Sequence, residues 1–307
     1  MGRAAPPLRS VEGIIFGIDQ TAIHDGPGVR MNVYLKGCPV RCIWCHSPES
    51  QCARPEVVWY EARCARCGQC VEVCPHGVRS LGVIGDEMRA RCTRCGACVS
   101  ACPAGALEVK GQAVTAGEIV DQAVRLKPFF RRTGGGVTLS GGEPTAQARF
   151  CHAVAALCRE GGIHVALETC GYVEWRMLAR LSEVVDLFLF DVKHVGAARH
   201  KEYTGVSNRR ILRNLGRLVE AGADVIVRVP LIPSINDDAA TVGAIGKRVF
   251  ELGVRRVTLL PFNPATHGKY SWLRREAPMP NATRQSRVQV EALEQILRDE
   301  GMNVVPP

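Results

Sequence analysis

The sequence predicts an α/β protein, a partial, TIM-like (β/α)6 barrel that is interrupted by a short cysteine-rich insertion. Apolar runs rich in β-branched residues alternate with segments of helical period, which is the pattern of βα units around a parallel sheet. Six predicted strands occupy residues 29–35, 137–139, 164–167, 187–190, 224–229 and 256–260. A hairpin strand at 13–16 precedes them, and a helix at 115–126 begins at a capping box of Thr115 and Glu118.

Each unusual motif follows one of these six strands. The motifs are a cysteine loop, then SGGEP at 140–144, ETCG at 168–171, DVKH at 191–194, RVP at 228–230 and PFN at 261–263. In barrels of parallel strands the active site is built at the carboxyl ends of the strands. We therefore expect these motifs to converge on one face of the barrel.

Composition limits the class of protein. The chain has 307 residues, fifteen cysteines and a formal net charge of +9. The arginines are dispersed and no aromatic-interleaved basic stripe is present, so we expect a solvated surface and no nucleic-acid partner. No apolar run approaches the ~20 residues that span a bilayer, and residues 1–9 lack the apolar core of a secretion signal. We expect a cytoplasmic protein without a membrane partner, in a reducing, oxygen-poor compartment.

The cysteine loop GCPVRCIWCHSPES holds Cys38, Cys42 and Cys45 in a C-x3-C-x2-C pattern. Ordinary electron carriers hold every iron of a four-iron cluster by a thiolate, so three ligands leave one iron open for a small molecule. The alternative is a closed structural zinc site with His46 as the fourth ligand.

Two further quartets follow the pattern C-x2-C-x2-C-x3-C-P, which is the bacterial ferredoxin spacing. In that spacing the fourth cysteine of each quartet ligates the other cluster. The predicted ligands of one four-iron cluster are Cys64, Cys67, Cys70 and Cys102, and those of the other are Cys92, Cys95, Cys98 and Cys74. A pair of zinc ribbons is the alternative.

The quartets define the predicted domains. Residues 55–110 form a ferredoxin-like insertion with two clusters, and residues 1–54 and 111–307 form the barrel. The near-repeat of CARCGQCVEVCPHGV by CTRCGACVSACPAGA indicates a duplicated fold. So few apolar residues are available there that the clusters are expected to supply most of its stability.

A family resemblance joins these motifs. DGPGVR at 25–30 precedes the triplet, Trp44 precedes its last cysteine, and GGEP, ETCG and DVK follow in order. The chain resembles the radical S-adenosylmethionine superfamily and, within it, the glycyl-radical-enzyme activating enzymes. The resemblance implies reductive cleavage of S-adenosylmethionine and removal of a hydrogen from a backbone glycine of a partner glycyl radical enzyme by the 5′-deoxyadenosyl radical. It covers nearly the whole chain, and many family members carry the same insertion.

The resemblance also implies the ligand site. Gly141, Gly142 and Glu143, before Pro144, would bind the amino group of S-adenosylmethionine, since paired glycines allow close backbone approach and a carboxylate binds an ammonium. The alternative is an ordinary glycine-rich turn. The remaining implied ligand residues are Asp191, Lys193, Arg228, which could pair with the ligand carboxylate, and Trp44 near the adenine. For Lys193 the alternative is a simple salt bridge, and for Trp44 it is plain packing.

Two departures from the family pattern stand out. Glu168 replaces an aspartate where Glu168, Thr169 and Asp191 would hold a monovalent cation. Asn263 stands where the family has histidine, so that either Asn263 or His267 would supply the polar contact.

The resemblance also implies how the partner is bound. The residues expected to contact the extended glycine loop of the partner are Asp25, Gly26, Pro27, Gly28 and Arg30, although D-G-P-G alone is only a turn signal. The net positive charge suggests an electron donor: positive patches would attract an acidic flavodoxin or ferredoxin, or they would offset the anionic clusters.

Two alternative functions remain. A maturase that modifies a sulfatase or a peptide would carry its extra clusters after the barrel, whereas no cysteine follows Cys170. A ferredoxin with an inert appended domain would leave the three-cysteine loop and GGEP unexplained.

Overall fold

One large sheet dominates the computed structural model, which describes residues 7–80 and 86–306. The strands, in chain order, are β1 Glu12–Ala22, β2 Arg30–Leu35, β3 Glu56–Trp59, β4 Leu107–Lys110, β5 Gln112–Thr115, β6 Gly136–Gly141, β7 His164–Thr169, β8 Leu187–Asp191, β9 Val225–Pro230, β10 Arg256–Leu260 and β11 Asn303–Val304. Nine of them form the sheet in the order β11-β10-β9-β8-β7-β6-β2-β1-β5. Six strands, β2 and β6 to β10, run parallel, as the alternation of strands and helices predicted.

Helices fill the connections between the parallel strands. They are α1 Gln69–Glu72, α2 Asp86–Arg91, α3 Ala97–Ser100, α4 Ala116–Thr133, α5 Ala148–Glu160, α6 Trp175–Ser182, α7 Ala197–Thr204, α8 Arg209–Glu220, α9 Ala239–Glu251, α10 Thr266–Trp272 and α11 Arg287–Asp299. The predicted capping box begins α4: Glu118 N–H donates to Thr115 Oγ1 at 3.2 Å, and Thr115 N–H donates to Glu118 Oε2 at 2.6 Å. None of the helices in the described ranges is long and apolar enough to cross a membrane.

The six predicted barrel strands are confirmed, with differences at their ends. The hairpin strand is longer than predicted, because β1 continues into a polar segment that pairs with β2. The short edge strands β5 and β11 carry too few apolar residues to be found from the sequence. Helix α4 runs through Pro128 to Thr133 instead of ending before the proline.

The main core lies between the sheet and its helices. Fully buried side chains from neighbouring parallel strands, such as Val33, Leu139, Leu167 and Phe188, belong to one apolar cluster. The strands are therefore held rigidly, and their carboxyl ends are fixed relative to one another.

The insertion has its own small sheet, in which β3 and β4 pair antiparallel. Its two halves match: α1 and α3 each follow a left-handed glycine, Gly68 at φ 82° and Gly96 at φ 79°. Its apolar core is small and consists of Val57, Trp59, Cys98, Ala106 and Leu107.

Contacts of three kinds join the insertion to the barrel. The Tyr60 and Trp272 rings lie 5.1 Å apart, edge to face, and the Arg274 guanidinium lies 4.9 Å over the Trp59 ring. Lys36, completely buried at the end of β2, donates from Nζ to the Glu49 carbonyl at 2.6 Å and lies 3.5 Å from Glu56 Oε2.

Candidate active site

The cysteine loop follows β2, and backbone hydrogen bonds fix it. Cys38 N–H donates to the Gln51 carbonyl at 3.2 Å. Arg41 and Ile43 donate to the carbonyls of Thr204 and Tyr203, at the end of α7, at 2.8 and 3.1 Å. The loop is therefore braced from both sides.

The three thiols of this loop are free and half-buried. Burial raises the pKa of both Cys38 and Cys42 to about 12. Thiols bind a metal as thiolates, so they must lose their protons first. Burial disfavours the thiolate form, and metal binding therefore has to supply the free energy of deprotonation. In the described part of the chain no group of three His, Cys, Asp or Glu side chains is arranged to hold a single metal ion.

The glycine loop after β6 packs directly against the cysteine loop. Gly141 has φ 116°, and a Cβ there would lie 2.3 Å from the Leu35 nitrogen. A Cβ on Gly142 would lie 2.5 Å from the Gly37 carbonyl oxygen. Glu143 N–H donates to that oxygen at 2.8 Å. The two glycines therefore let the loop after β6 lie directly against the backbone of β2 and of the cysteine loop.

Glu143 is 2% exposed, and its carboxylate accepts four hydrogen bonds. Oε1 accepts from Thr145 N–H at 3.0 Å, Thr145 Oγ1 at 2.7 Å and Thr169 Oγ1 at 2.7 Å. Oε2 accepts from Cys170 N–H at 2.8 Å. Glu143 thus ties the loop after β6 to the end of β7, and the remaining acceptor capacity lies on Oε2.

Arg228 on β9 connects three carboxylates from distant parts of the chain. Its guanidinium lies 3.3 Å from Asp25 Oδ1, 2.9 Å from Glu168 Oε1 and 3.7 Å from Asp191 Oδ1. Arg228 is 7% exposed, so these contacts are little screened by water. Asp191 Oδ1 and Arg228 Nε have no hydrogen-bond partner among the described residues, so both could bind a polar ligand.

Lys193, just after β8, forms a salt bridge with Asp191, at 2.7 Å from Nζ to Oδ2. Burial acts against the lysine charge, but the Asp191 carboxylate and the Cys42 thiol raise the pKa of Lys193 above its usual value. Lys193 therefore stays a cation beside the cysteine loop. A simple salt bridge of Lys193 is the alternative given for it above, and the structure contains that salt bridge. It holds the two side chains together at the carboxyl end of β8.

Glu168 at the end of β7 has an unusual charge state. Burial, together with the carboxylates of Asp25 and Asp191, raises the pKa of Glu168 to about 7, although Arg228 opposes the shift. Its Oε2 accepts a hydrogen bond from Ser140 Oγ at 2.6 Å. The oxygens predicted for a monovalent cation are thus already in contact with Ser140 and Arg228, and the hydroxyl of Thr169 is used by Glu143.

The DGPG turn lies at the rim of the same site. Asn32 Nδ2 donates to Asp25 Oδ2, and Thr138 Oγ1 donates to the Asp25 carbonyl at 2.8 Å. Arg30 is completely buried and donates to the Pro27 carbonyl at 3.1 Å. Burial lowers the pKa of Arg30 to about 10. Arg30 therefore supports the turn from below, while Pro27 and Gly28 lie exposed on it.

Trp44 and Asn263 lie beside the last cysteine of the loop. Trp44 is buried against Ile232 and Phe262, which is the packing alternative given for it above. Asn263 Nδ2 lies 3.2 Å from Nε2 of His46, directly after Cys45. The His267 ring lies 5.9 Å from the Phe262 ring. Asn263 is therefore in contact with the cysteine loop.

Two cavities in the insertion are lined by cysteines. The first cavity contains the predicted first ligand set, and the second cavity contains the predicted second set. Cys64, Cys67, Cys70 and Cys102 line the first, and Cys74, Cys92, Cys95 and Cys98 line the second. The Ala106 N–H donates to Cys102 Sγ at 3.3 Å, a contact typical of cluster thiolates.

An unused donor also marks the first cavity. Trp59 lines that cavity, and its buried indole N–H has no hydrogen-bond partner among the described residues. Buried donors are normally paired, so this N–H fits a site that holds an acceptor such as cluster sulfur. The residues of the cavities therefore fit four-iron clusters.

Sequence reasoning missed several residues that organise the barrel site. Asn32 and Ser140 hold Asp25 and Glu168 from inside the barrel. Asn236 donates from Nδ2 to the carbonyls of Lys193 and Pro230, each at 2.8 Å. For Asn32 and Ser140 the available signal was a polar residue within an otherwise apolar strand, since such residues face the barrel interior.

The chain is similar to known proteins over most of its length. The Radical SAM superfamily profile matches residues 32–242. The isethionate sulfite-lyase activating enzyme of Nitratidesulfovibrio vulgaris is 42% identical over 283 residues, which cover 90% of this chain and 92% of that protein. The choline trimethylamine-lyase activating enzyme of Oleidesulfovibrio alaskensis is 39% identical over 295 residues, which cover 94% and 95%. A solved radical SAM methyltransferase from Sphaerobacter thermophilus, at 21% identity, has a TM-score of 0.50 over 70% of this chain and 61% of its own, a likeness of fold alone.

Proposed function

The chain belongs to the radical SAM superfamily and, within it, to the activating enzymes of glycyl radical enzymes, and on this premise we propose how its residues perform that activity. The enzyme reductively cleaves S-adenosylmethionine to a 5′-deoxyadenosyl radical, which takes a hydrogen atom from a backbone glycine of the partner. The observation that carries the proposal is the meeting of a three-cysteine loop with a buried layer of charged side chains at the ends of parallel strands.

Cys38, Cys42 and Cys45 would hold a four-iron cluster, which supplies an electron and an open iron when bound. Lys193 and Asp191 are available to orient the polar end of S-adenosylmethionine, and Lys193 also balances the charge of the cysteine loop. Arg228 would bind the ligand carboxylate with its unused Nε–H. Gly141, Gly142 and Glu143 would bind the amino group through backbone atoms and the free lone pair of Glu143.

The rim supplies two further roles. Trp44 and Asn263 would bound the adenine side of the pocket next to Cys45, which their contacts with Phe262 and His46 support. A monovalent cation beside Glu168, Thr169 and Asp191 stays a prediction, and Arg228 would share its carboxylates.

For partner binding we propose the DGPG turn. Pro27 and Gly28 are exposed on it, Asp25 and Gly26 are half-buried, and Arg30 would act from beneath by holding its shape. A partner loop seated there would lie above the Arg228 network and would exclude water from the radical. The relatives are named for the activation of different lyases and a dehydratase, so the partner is to be found among enzymes of this class.

We also propose that residues 55–110 form a ferredoxin-like domain with two four-iron clusters. The two cysteine-lined cavities, the matching halves and the unused Trp59 donor support it. A flavodoxin or ferredoxin would supply the electron. The free state of all fifteen thiols supports a reducing, cytoplasmic setting.

The test begins with anaerobic reconstitution with iron and sulfide, followed by dithionite reduction. The reduced protein is mixed with S-adenosylmethionine and, in turn, with a choline trimethylamine-lyase and an isethionate sulfite-lyase. We expect 5′-deoxyadenosine and, with a matching partner, a glycyl radical signal in electron paramagnetic resonance; the Cys42→Ala variant should give neither. A protein that holds all its iron but forms no 5′-deoxyadenosine would overturn the proposal.

A further inference from the structure

The two cysteine-lined cavities are related by the internal duplication, but the charge of their linings differs at one buried position. Arg79 is the fifth residue after Cys74, and Leu107 is the fifth residue after Cys102. Both residues are 5% exposed. Arg79 lines the second cavity, and Leu107 lines the first. A buried cation in one half thus occupies the place of an apolar side chain in the other.

Arg79 acts on the thiols of its own cavity. Its side chain is buried in the lining of the second cavity, which it shares with Cys74, Cys92, Cys95 and Cys98. A guanidinium is always charged, and its attraction for negative charge is strong where water is excluded. Negative charge on the sulfurs of the second cavity would therefore be stabilised by a buried cation.

Among the described residues that line the first cavity, the buried donors are neutral. Trp59, whose indole N–H is unused, lines this cavity, and Ala106 N–H donates to Cys102 Sγ. The residue that β3 contributes to the second cavity is Val57 instead. A charged donor stabilises an anionic acceptor about twice as strongly as a neutral one does.

The other two arginines that line the cavities do not create a difference in charge between them. Arg66 and Arg94 stand at equivalent places, each directly before an exposed cysteine, and both have positive φ, 54° and 62°. Arg66 lines the first cavity and Arg94 the second. Since each cavity has one, their effects largely cancel in a comparison of the two.

From these linings we propose that Arg79 makes the cluster of the second cavity the more easily reduced of the two inserted clusters, while the Trp59 N–H is the donor to the cluster of the first. Reduction adds one negative charge, and a buried cation stabilises that charge more than a neutral dipole does. An electron that enters the insertion would rest mainly on the cluster held by Cys74, Cys92, Cys95 and Cys98. The inference depends on the proposed function, because it requires that both cavities hold clusters.

The test is a redox titration followed by electron paramagnetic resonance. The full chain is reconstituted in a Cys42→Ala background, so that the two inserted clusters are observed without the third. Cys67→Ser and Cys95→Ser each change one ligand of one cavity and assign the two reduction waves. We expect the wave of the second cavity at the higher potential.

Substitutions at Arg79 and Trp59 then separate the two donors. Arg79→Gln should lower the reduced fraction of the second cluster at a fixed potential about tenfold, which for a one-electron couple is a shift of about 59 mV. Arg79→Lys should restore most of the shift, since it keeps the charge. Trp59→Phe should move only the wave of the first cavity, and Trp272→Phe, its control across the Tyr60 contact, should move neither.

The outcomes distinguish this inference from the proposed function. If the Cys42→Ala protein binds too little iron for two clusters, the proposed insertion fails. If both clusters form but Arg79→Gln leaves the second wave in place, or the wave of the first cavity lies at the higher potential, the inference is overturned.

Discussion

The barrel mouth and the insertion bring cysteines together in different ways. At the barrel mouth, six parallel strands and their helices share one extensive apolar core, and a network centred on Arg228 and Glu143 fixes the strand ends. In the insertion, two short strands and short helices enclose a core of few residues, and cysteines make up part of it. The fold positions the first site, whereas the second site would depend on the clusters proposed for it.

This contrast shows where the stability of each region originates. Burial of apolar area stabilises a domain at about 25 cal/mol per Å², and a small core supplies too little to offset chain entropy. A region of the size of the insertion therefore needs covalent or metal crosslinks to fold. Changes to cysteines should thus affect chemistry in the barrel and structure in the insertion.

The largest expected effect comes from comparing one cysteine of each region. Cys38→Ala removes one of only three ligands at the barrel mouth, so dithionite-driven formation of 5′-deoxyadenosine should fall to background. Cys67→Ala damages the first cavity of the insertion, and because dithionite can reduce the barrel site directly, the loss should stay within about tenfold, or 1.4 kcal/mol. Product yield per bound iron measures both. Equal losses would show that the inserted clusters are required for the chemistry itself.

The junction between the regions should give the next largest effect. Lys36→Met leaves the buried Glu56 carboxylate without its closest cation, and the loss should be about 3 kcal/mol. Thermal unfolding of the reconstituted protein should show a lower Tm by roughly 6 °C. The exposed Lys247→Met on α9 serves as the control and should change little. A Tm equal to the control would mean that Lys36 does not hold the regions together.

The barrel network should show a pH dependence of stability that Glu168 sets. The pKa of Glu168 is raised from about 4.5 to about 7, so the folded state holds this proton more tightly than the unfolded chain does. The stability from this group is therefore complete below about pH 4.5 and is lost as pH rises toward about 7. The Glu168→Gln side chain cannot ionise, so the variant is free of that loss. The Tm of the variant minus the Tm of wild type should therefore be larger at pH 8 than at pH 5. A constant difference would indicate that Glu168 is ionised throughout.

Metal removal should loosen one region only. After anaerobic treatment with an iron chelator, proteolytic cleavage within residues 55–110 should become about tenfold faster, because local opening loses the metal crosslinks. Fragments of the barrel should persist. Mass spectrometry of the early fragments locates the cuts, and cuts that appear first in α5 or α9 would contradict the contrast drawn here.

The smallest effect should come from the helix that follows the insertion. Thr115→Ala removes the capping hydroxyl of α4 and should cost about 1 kcal/mol. The same loss is expected with and without iron, because the capped helix α4 belongs to the barrel. Tm values of both forms measure this, and a loss confined to the iron-loaded form would tie the cap to the insertion instead.

Much of the fold could be predicted, since its signals are local. Apolar runs such as Leu187–Asp191 identify strands, and the capping box at Thr115 identifies the start of α4. The cysteine spacing predicted the grouping of thiols that line each cavity. Such patterns involve only residues that are adjacent, or a fixed number of positions apart, in the sequence.

The charged network could not be predicted in the same way. Arg228 meets Asp25 although 203 residues separate them, and no interval in the sequence encodes that contact. Arg30 belongs to a motif expected at the surface, yet it is buried beneath the turn. Which polar side chain of a strand faces which partner depends on the register of the whole sheet.

The interleaving of the two halves of the insertion has a consequence for biosynthesis. Cys102 completes the first cavity, and Cys74 completes the second. While the chain leaves the ribosome, neither four-cysteine site exists until most of the second half has been translated, so delivery of iron to the proposed clusters would have to follow synthesis of nearly the whole insertion. A gene broken between Cys74 and Cys92 would encode no complete site in either fragment. Deletion of either half of the insertion would therefore remove both proposed sites together.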